Sequence, residues 1–342
     1  MVKKISIVVP VHNAGDAIKQ CLSAIYVQNY PEYDVTVVND CSEDGLSDRL
    51  KDFPCKIMNL SKRSGASVSR NEGAKNADAE VILFLDADVM LQKNCLHRIA
   101  EIYEKYPETD VIQGVYTEEA ADNNVSTLTR NYYKYHKIEK INRSQINGIN
   151  SYCFAIKKKV FEKINGFNPQ YEGVEDVELG MRLVKNGYKI LLDKNLRVKH
   201  LKRYTFTRLL RTDYRKVYAK TNLLLNNYFK PKTAIPENSV EITYSLNPKE
   251  KMMPEFISIF LSFLIAASVT GAALSKSQYF LYVSIALILL FIFLNFDFLN
   301  LIRKRKGLFI SVGCFFVYYF EMLIAQMAIF STLLMFPIKK RY

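Results

Sequence analysis

Residues 4–13, KISIVVPVHN, and residues 34–40, DVTVVND, decide the fold that this sequence predicts. Both are short apolar runs that end in polar residues, and the helix-like segment Gly15–Tyr26 lies between them. A buried strand, a helix and a second buried strand in this order are typical of a parallel sheet covered by helices. The sequence therefore predicts an α/β domain at the amino-terminal end.

The same alternation of apolar strands and amphipathic helices continues toward His200. Further strands are predicted at CKIMNL (55–60), EVILFLDAD (80–88), DVIQGVYT (110–117) and SYCFAIKK (151–158). Further helices are predicted over Ala66–Lys75, Gln92–Tyr106 and residues 175–187, the last closed by Gly187. Together these elements predict a doubly wound sheet that is interrupted by the less regular segment Gln113–Ile149.

Polar residues directly follow three of the predicted strands. They are His12 and Asn13, then Asn39 and Asp40, then Asp86 and Asp88. Because ligands of doubly wound sheets bind outside the carboxyl ends of the strands, we expect these side chains to converge on one edge. The two aspartates of DADV are hard oxygen ligands that suit Mg²⁺ or Mn²⁺ carried by a diphosphate. Their alternative role is that of turn formers or helix caps.

Three long apolar stretches fill the carboxyl-terminal end, and each has the roughly 20 residues that a membrane-spanning helix needs. They are Glu255–Leu274, Tyr279–Ile302 and Leu308–Pro337. The basic run at residues 303–306 predicts a cytoplasmic connection, which places the amino-terminal domain on the cytoplasmic face of a multi-pass membrane protein. Glu321 and Gln326 leave open whether the third stretch crosses once, is tilted or kinked, or re-enters.

The net charge of +13 is concentrated in Arg197–Lys232, where eleven basic residues stand against Asp213 alone. Next to membrane spans, this cluster indicates an anionic lipid surface, and no nucleic-acid module accompanies it. Thr205–Leu225 is predicted to be an interfacial amphipathic helix, with an ordinary packed helix as the alternative. The six cysteines lack CxxC pairing, so neither a zinc site nor a disulfide framework is expected.

Five motifs follow one another in an order that carries a family resemblance. They are IVVPVHN (7–13), VVNDCSEDG (37–45), SRNEG (69–73), FLDADV (84–89) and GVEDVELGMRL (173–183). The set resembles the inverting, GT-A-type glycosyltransferases of family 2. This resemblance implies a doubly wound mixed sheet, a nucleotide-sugar donor and Mg²⁺ or Mn²⁺. The expected parts are a GT-A domain (1–204), a basic interfacial helix (205–229), a linker (230–253) and a membrane region of about three helices (254–342).

The resemblance also assigns the donor site, residue by residue. Pro10, His12 and Asn13 border the nucleotide, Asp40 contacts the base, Arg70 lies near the donor phosphates or ribose, Asp86 faces the ribose or metal, Asp88 binds the metal, and His200 is a further metal ligand. Asn39 replaces a more common aspartate, which is expected to loosen a loop hydrogen bond. The alternatives are an ion-paired surface arginine at position 70 and a structural histidine at position 200.

Glu175 and Asp176 match the acidic pair of the family, in which the aspartate is the general base of a single inverting displacement. The alternative role of this pair is to cap the following helix. A polyprenyl phosphate is already ionised and needs no base, so a hydroxyl of a lipid-linked saccharide or glycolipid is the favoured acceptor. A polyprenyl-phosphate glycosyltransferase and a non-catalytic nucleotide-sugar-binding membrane subunit remain open alternatives.

The sequence contains no tryptophan and therefore lacks the QxxRW motif of processive synthases in the same family. We therefore expect one sugar to be added per encounter. No feature of the sequence indicates an oligomeric state.

Overall fold

The computed structural model describes residues 4–142, 144–229 and 253–339. These residues form two compact units. The first unit holds residues 4–121 and 137–202, and the second holds residues 122–136, 203–229 and 253–339. The predicted linker at residues 230–253 lies outside the described residues, except for Met253.

The first unit is built on one mixed sheet. Its strands, within the described residues, are β1 (Ile5–Val11), β2 (Tyr33–Asn39), β3 (Lys56–Asn59), β4 (Val81–Leu85), β5 (Val89–Leu91), β6 (Val111–Tyr116), β7 (Gln145–Ile146), β8 (Cys153–Lys157) and β9 (Ile190–His200). Its helices are α1 (Ala17–Tyr26), α2 (Leu46–Leu50), α3 (Ala66–Lys75), α4 (Cys95–Lys105), α6 (Lys158–Lys163) and α7 (Glu175–Lys185). A longer helix, α5 (Val125–Glu139), begins in the second unit and ends in the first.

The strand order is β3-β2-β1-β4-β8-β6-β9-β5, with β7 paired to β9. Strand β1 pairs in parallel with both β2 and β4, whereas β8 runs antiparallel to β4 and β6. The predicted doubly wound mixed sheet is therefore confirmed. Because β2, β1 and β4 are parallel neighbours, their carboxyl ends lie on the same edge.

Apolar side chains alternate between the two faces of the sheet. On β1, Ile7 and Val9 join the cluster on one face and Val8 joins the cluster on the other. Strand β4 is buried at all five positions, as expected for a central strand covered on both sides. Helix α3 lies close to β1 at Gly73, where an added Cβ would be 2.3 Å from Val8 Cγ1. A glycine is therefore needed at this position for α3 to pack as it does.

One helix was not expected from the sequence. The segment Gln113–Ile149, predicted as irregular, contains the 15 residues of α5. The side chain of Asn124 accepts a hydrogen bond from the backbone N–H of Thr127 at 2.9 Å, which satisfies one free donor of the first turn. Leu128 and Tyr132 are buried at helical spacing. The capping residue and this spacing were the available signals for the helix.

The second unit is helical. Besides the first part of α5, it contains α8 (Phe206–Tyr228), α9 (Met253–Ser275), α10 (Gln278–Leu294), α11 (Phe296–Lys306) and α12 (Leu308–Lys339). Among the helices described, Glu255–Ser275 and Leu308–Phe336 are long and apolar enough to cross a membrane. Helices α10 and α11 would make a third span if counted together, but the chain bends by 73° at the break between them.

The second predicted apolar stretch, Tyr279–Ile302, is therefore broken rather than continuous. The break lies at Asn295, whose side-chain amide donates hydrogen bonds to Ser258 Oγ on α9 and to the carbonyl of Phe291, both at 2.9 Å. A buried polar side chain satisfied by a neighbouring helix stabilises such an interruption. The periodicity of apolar residues alone did not predict it.

The charged residue in the third predicted stretch lies in an ion-pair network. Glu321 is 5% exposed, and its carboxylate is 3.0 Å from Nη2 of Arg130 on α5. Arg130 also pairs with Asp213 on α8. A charge that is paired in this way is tolerated inside an apolar helix. Helix α12 accordingly runs without a break from Leu308 to Lys339. The structure therefore does not support the re-entrant alternative.

The basic helix predicted over residues 205–229 is present as α8, but much of its apolar face packs inside the unit. Leu209 is fully buried beside Val317 of α12, and the hydroxyls of Tyr214 and Ser331 are 2.8 Å apart. Arg208, Arg211 and Arg215 remain exposed. This arrangement favours the alternative interpretation, a packed helix with a basic outer face, over a helix that lies freely in the membrane surface.

Candidate active site

The ends of β1 and β2 are tied together by polar contacts. His12 Nδ1 lies 2.8 Å from the carbonyl oxygen of Asp40, and Asn13 Oδ1 accepts a hydrogen bond from the backbone N–H of Glu43 at 2.8 Å. Asn13 has a φ of 50°, a left-handed conformation that asparagine tolerates better than most residues. The convergence of these strand ends, predicted from the sequence, is therefore present in the structure.

Asp40 is 4% exposed and holds the loop that precedes α3. Its two carboxylate oxygens accept the backbone N–H groups of Ser64 at 2.6 Å and Gly65 at 2.8 Å. The neighbouring Asn39 accepts the N–H of Ser42 at 2.9 Å, so the loop hydrogen bond that was expected to loosen is made by the asparagine. The structure thus gives Asp40 a loop-positioning role, and its contact with a nucleotide base stays a prediction.

Arg70 of α3 is the most buried charged group among the predicted site residues, with 3% of its side chain exposed. Its Nη2 donates to Asp86 Oδ1 at 2.7 Å and its Nη1 to Glu175 Oε1 at 3.2 Å. The guanidinium carbon lies 5.2 Å from the centre of the Phe167 ring. Burial alone would lower the pKa of Arg70, but the two carboxylates outweigh it and the pKa is raised.

This arginine therefore connects the strand-end aspartate with the acidic pair of α7, which lies 105 residues further along the chain. It is not the surface arginine of the alternative interpretation. Two atoms of the cluster, Arg70 Nε and Glu175 Oε2, are buried and have no hydrogen-bond partner among the described residues. Unsatisfied buried polar atoms are costly and are expected where a site is completed by another group.

The carboxylate of Asp176 lies in the first turn of α7. Its Oδ1 accepts the N–H of Val177 at 2.8 Å, and its Oδ2 accepts the N–H of Ser151 at 3.2 Å. The capping residue of this helix is Val174, without a side-chain hydrogen bond, so neither member of the acidic pair is the helix cap. The Asp176 carboxylate therefore lies beside the partial positive charge of the helix start.

Asp88 and His200 meet at the antiparallel pairing of β5 with β9. The backbone N–H of Leu201 donates to the carbonyl of Asp88 at 2.7 Å, and His200 Nε2 lies 3.8 Å from Asp88 Oδ2. The His200 ring also packs on Tyr116, with the ring centres 4.9 Å apart. Asp88 is 31% exposed at its side chain, so it is open to a ligand, whereas His200 is buried.

The metal ligands predicted from the sequence are only partly assembled. Asp88 and His200 lie together, but Asp86 turns one oxygen to Arg70. Within the described ranges, no group of three acidic, histidine or cysteine side chains is gathered closely enough to hold a metal. One carboxylate and one imidazole nevertheless fit a cation such as Mn²⁺ or Mg²⁺ whose remaining ligands are diphosphate oxygens and water.

Two residues just before β8, Ser151 and Tyr152, belong to the site, although the sequence did not predict a role for them there. Ser151 donates to Asp176, and the carbonyl of Tyr152 accepts the N–H of Asp86 at 3.1 Å. The Tyr152 ring stacks on Tyr116 with centres 3.9 Å apart. This segment thus positions both the aspartate of β4 and the aspartate of α7, although only its richness in asparagine and glycine set it apart in the sequence.

The thiols around the site are not candidates for chemistry. Cys21 and Cys153 are fully buried, and burial raises the pKa of both thiols far above neutral; it raises the pKa of Cys95 to about 11. A thiol is nucleophilic and binds metals as the thiolate. At neutral pH these side chains are therefore protonated and poor nucleophiles.

Two protein-family models match the first part of the chain. Residues 6–165 match "Glycosyl transferase family 2", and residues 136–208 match "N-terminal domain of galactosyltransferase". Together the two matches span every residue placed in the site above, from His12 to His200, and the predicted site residue Pro10, which lies in β1.

Curated relatives and a solved structure agree with these matches. The chain is 28% identical over 216 residues to the O-antigen chain rhamnosyltransferase RfbN of Salmonella typhimurium, with 59% of this chain and 68% of that protein covered. It is 26% identical over 176 residues to glycosyltransferase GlyA of Streptococcus pneumoniae, covering 50% of this chain but only 22% of that protein. The mannosyltransferase PcManGT from Pyrobaculum calidifontis, solved with GDP-Man and Mn²⁺, superposes with a TM-score of 0.55 at 16% identity over 83% of each chain.

Proposed function

We propose that the amino-terminal part of this chain, a GT-A domain of glycosyl transferase family 2, transfers a single sugar, with inversion, from a nucleotide-diphosphate sugar to an acceptor hydroxyl. The observation that carries the proposal is the double contact of Arg70 with Asp86 and Glu175. Through these two contacts a single guanidinium group connects the carboxyl edge of the sheet, where the donor is proposed to bind, with the acidic pair of α7.

Donor binding is assigned to the polar strand ends. Pro10, His12, Asn13 and Asp40 are proposed to border the nucleoside, and Asp86 with Arg70 to face the ribose and phosphates. Asp88 and His200 would hold a divalent cation, which when bound stabilises the charge of the departing nucleoside diphosphate. A related structure that contains GDP-Man and Mn²⁺ supports this choice of donor and metal.

Proton removal is assigned to Asp176. The acceptor oxygen forms a bond to the anomeric carbon while the bond from that carbon to the diphosphate breaks and its electron pair leaves with the diphosphate. The acceptor proton passes to the Asp176 carboxylate, which Ser151 and Val177 hold through their backbone N–H groups. Glu175, bound to Arg70, keeps the start of α7 in place.

The acceptor is proposed to be a lipid-linked saccharide or glycolipid in cell-surface glycan synthesis. One relative is named for O-antigen chains, and two helices of the chain can span a membrane. The basic run at residues 303–306 supports a multi-pass arrangement with the catalytic domain at the cytoplasmic face.

The role of Asp88 can be tested by donor consumption. We expect Asp88→Asn to lower metal-dependent release of nucleoside diphosphate by roughly a hundredfold or more, because the cation would lose its carboxylate ligand. EDTA should have the same effect on the unaltered chain. Asp78→Asn is a matched control, since the Asp78 side chain is 97% exposed and pairs with Lys4 on the surface.

Unchanged release after EDTA treatment and in Asp88→Asn would contradict the metal assignment. A chain that binds a nucleotide sugar but consumes none of the donors offered would instead support the non-catalytic alternative.

A further inference from the structure

A groove of about 590 Å³ opens in the second unit where two helices begin. It is lined by Asn124, Val125 and Ser126 at the start of α5, and by residues 203–206 and Arg208 at the start of α8. Both helices are long, with 15 and 23 residues. None of these residues belongs to the proposed transfer site.

Both helix starts contribute backbone donors. Asn124 and Thr205 each satisfy one N–H of the first turn, that of Thr127 at 2.9 Å and that of Arg208 at 3.3 Å. The first N–H groups of a helix have no acceptor within the helix, so others in each turn are left over. Two helix starts with their partial positive charge therefore line one groove, which favours an anion.

The side chains of the groove add positive charge. Arg203 is 76% exposed at its side chain, and Arg208 is also exposed. The acid that lines the groove is Asp122, whose carboxylate accepts from Asn124 Nδ2 at 2.8 Å and lies 3.9 Å from Arg203 Nε. The lining of the groove thus carries two positive guanidinium charges and one negative carboxylate charge, and that carboxylate is already hydrogen-bonded.

Ser126 gives an independent indication of a ligand. It is 7% exposed and lines the groove, yet no described residue forms a hydrogen bond with its hydroxyl. The hydroxyl oxygen keeps solvent access within the groove, where a phosphate oxygen would accept a hydrogen bond from it.

Apolar contacts connect the groove with a helix that can span the membrane. Val125 packs at Gly313 of α12, where an added Cβ would lie 3.1 Å from Val125 Cγ1. The Phe206 ring packs edge-on against Phe320 of α12, with centres 5.6 Å apart. The groove therefore lies beside the first half of α12, which directly follows the basic end of α11.

We propose that this groove binds the phosphate of an anionic membrane lipid, with Arg203, Arg208, Ser126 and the two helix starts as donors and the acyl chains along α12. Arginine suits phosphate because its planar fork of donors matches the oxygens. The inference rests on the proposed membrane location but not on sugar transfer.

The test is lipid binding by the purified full chain in an uncharged detergent, followed by native mass spectrometry. The probes are dioctanoyl phosphatidylglycerol, dioctanoyl phosphatidylcholine and inorganic phosphate. We expect selective retention of phosphatidylglycerol, and a loss of affinity of about tenfold or more in the double variant Arg203→Gln and Arg208→Gln. Ser126→Asp should weaken binding as well, because it places a negative charge in the groove.

The matched control is the double variant Arg211→Gln and Arg215→Gln, which removes the same charge from exposed positions of α8 outside the groove. Equal losses in both double variants would show a diffuse basic surface and overturn the proposal. Inorganic phosphate binding as tightly as phosphatidylglycerol would also overturn it, because the site would then not be a lipid site. Asp88→Asn should bind the lipid normally, which separates failure of this site from failure of transfer.

Discussion

Arg70 is the residue on which the geometry of the candidate site depends most. Its guanidinium separates two carboxylates that would otherwise face each other in a largely buried space. Removing one partner of a buried ionic cluster leaves uncompensated charge and typically costs about 3–5 kcal/mol. The same change would release the first turn of α7, where Asp176 lies.

We therefore predict that Arg70→Met lowers the stability of the folded chain by roughly 3 kcal/mol and abolishes transfer. Arg70→Lys keeps the positive charge but loses the planar pair of N–H donors that contacts both carboxylates. We expect this variant to keep most of the stability but little of the transfer activity. Thermal unfolding and donor turnover measure the two effects. Arg49→Met is the control, since Arg49 also pairs with two carboxylates, those of Asp16 and Asp44, but forms no ion pair with Asp86 or with α7 among the described residues. Full activity in Arg70→Met would exclude a positioning role.

The proposed base Asp176 can be tested by a conservative substitution. Replacing this aspartate by asparagine keeps its size but removes the base, so we expect turnover to fall roughly 10²–10⁴-fold while the KM for the donor changes little. Steady-state kinetics with a hydroxyl acceptor measures both constants. Wild-type turnover in Asp176→Asn would remove the general-base assignment and, with it, the argument against a polyprenyl-phosphate acceptor.

The sequence could name the residues of the site but not their partners. The motifs predicted that His12, Asp40 and Asp86 end parallel strands, because the strands themselves are readable from apolar runs. They did not predict that Asp40 binds the loop at residues 64–65, or that Arg70 reaches Glu175. Those contacts join residues from 24 to 105 positions apart, and no local periodicity encodes them.

At the scale of elements, α5 is the main departure from the expectation. Its sequence contains neither proline nor glycine. Polar residues and tyrosines occur among its apolar positions, so the 3.6-residue spacing of apolar residues that indicates a helix is not apparent. Several of its polar residues are buried against other parts of the second unit, among them Arg130. A helix that buries polar side chains by pairing them lacks the usual apolar stripe.

Asn124 offers a test of this element. We predict that Asn124→Ala destabilises the start of α5 by about 1 kcal/mol, because the N–H of Thr127 loses its side-chain acceptor. Hydrogen exchange of the amides at residues 125–131 should become faster in this variant. Asn123→Ala, at the exposed neighbour whose side chain bonds to Lys306, should leave these amides unchanged. Equal exchange in the two variants would contradict the cap.

For the whole molecule, the sequence predicted a GT-A domain followed by membrane helices. The mixed sheet of the GT-A fold is present, and among the described helices that follow it two are long and apolar enough to cross a membrane. It did not predict that residues 122–136, which follow β6 in the chain, belong to the same compact unit as α9–α12. Composition separates an apolar segment from a mixed one, but it cannot show which mixed segment packs on the apolar helices. That assignment depends on tertiary contacts such as Arg130 with Glu321.

We propose that this chain transfers one sugar from a nucleotide-diphosphate donor to a lipid-bound hydroxyl. The most direct measurement incubates the full chain, reconstituted in lipid with Mn²⁺, with a panel of nucleotide sugars and a lipid extract, and identifies products by mass spectrometry. We predict that one donor yields a glycolipid heavier by a single sugar, and that this product is absent with EDTA or with Asp176→Asn. A ladder of products carrying many sugars, or consumption of no donor at all, would contradict transfer of a single sugar by this chain.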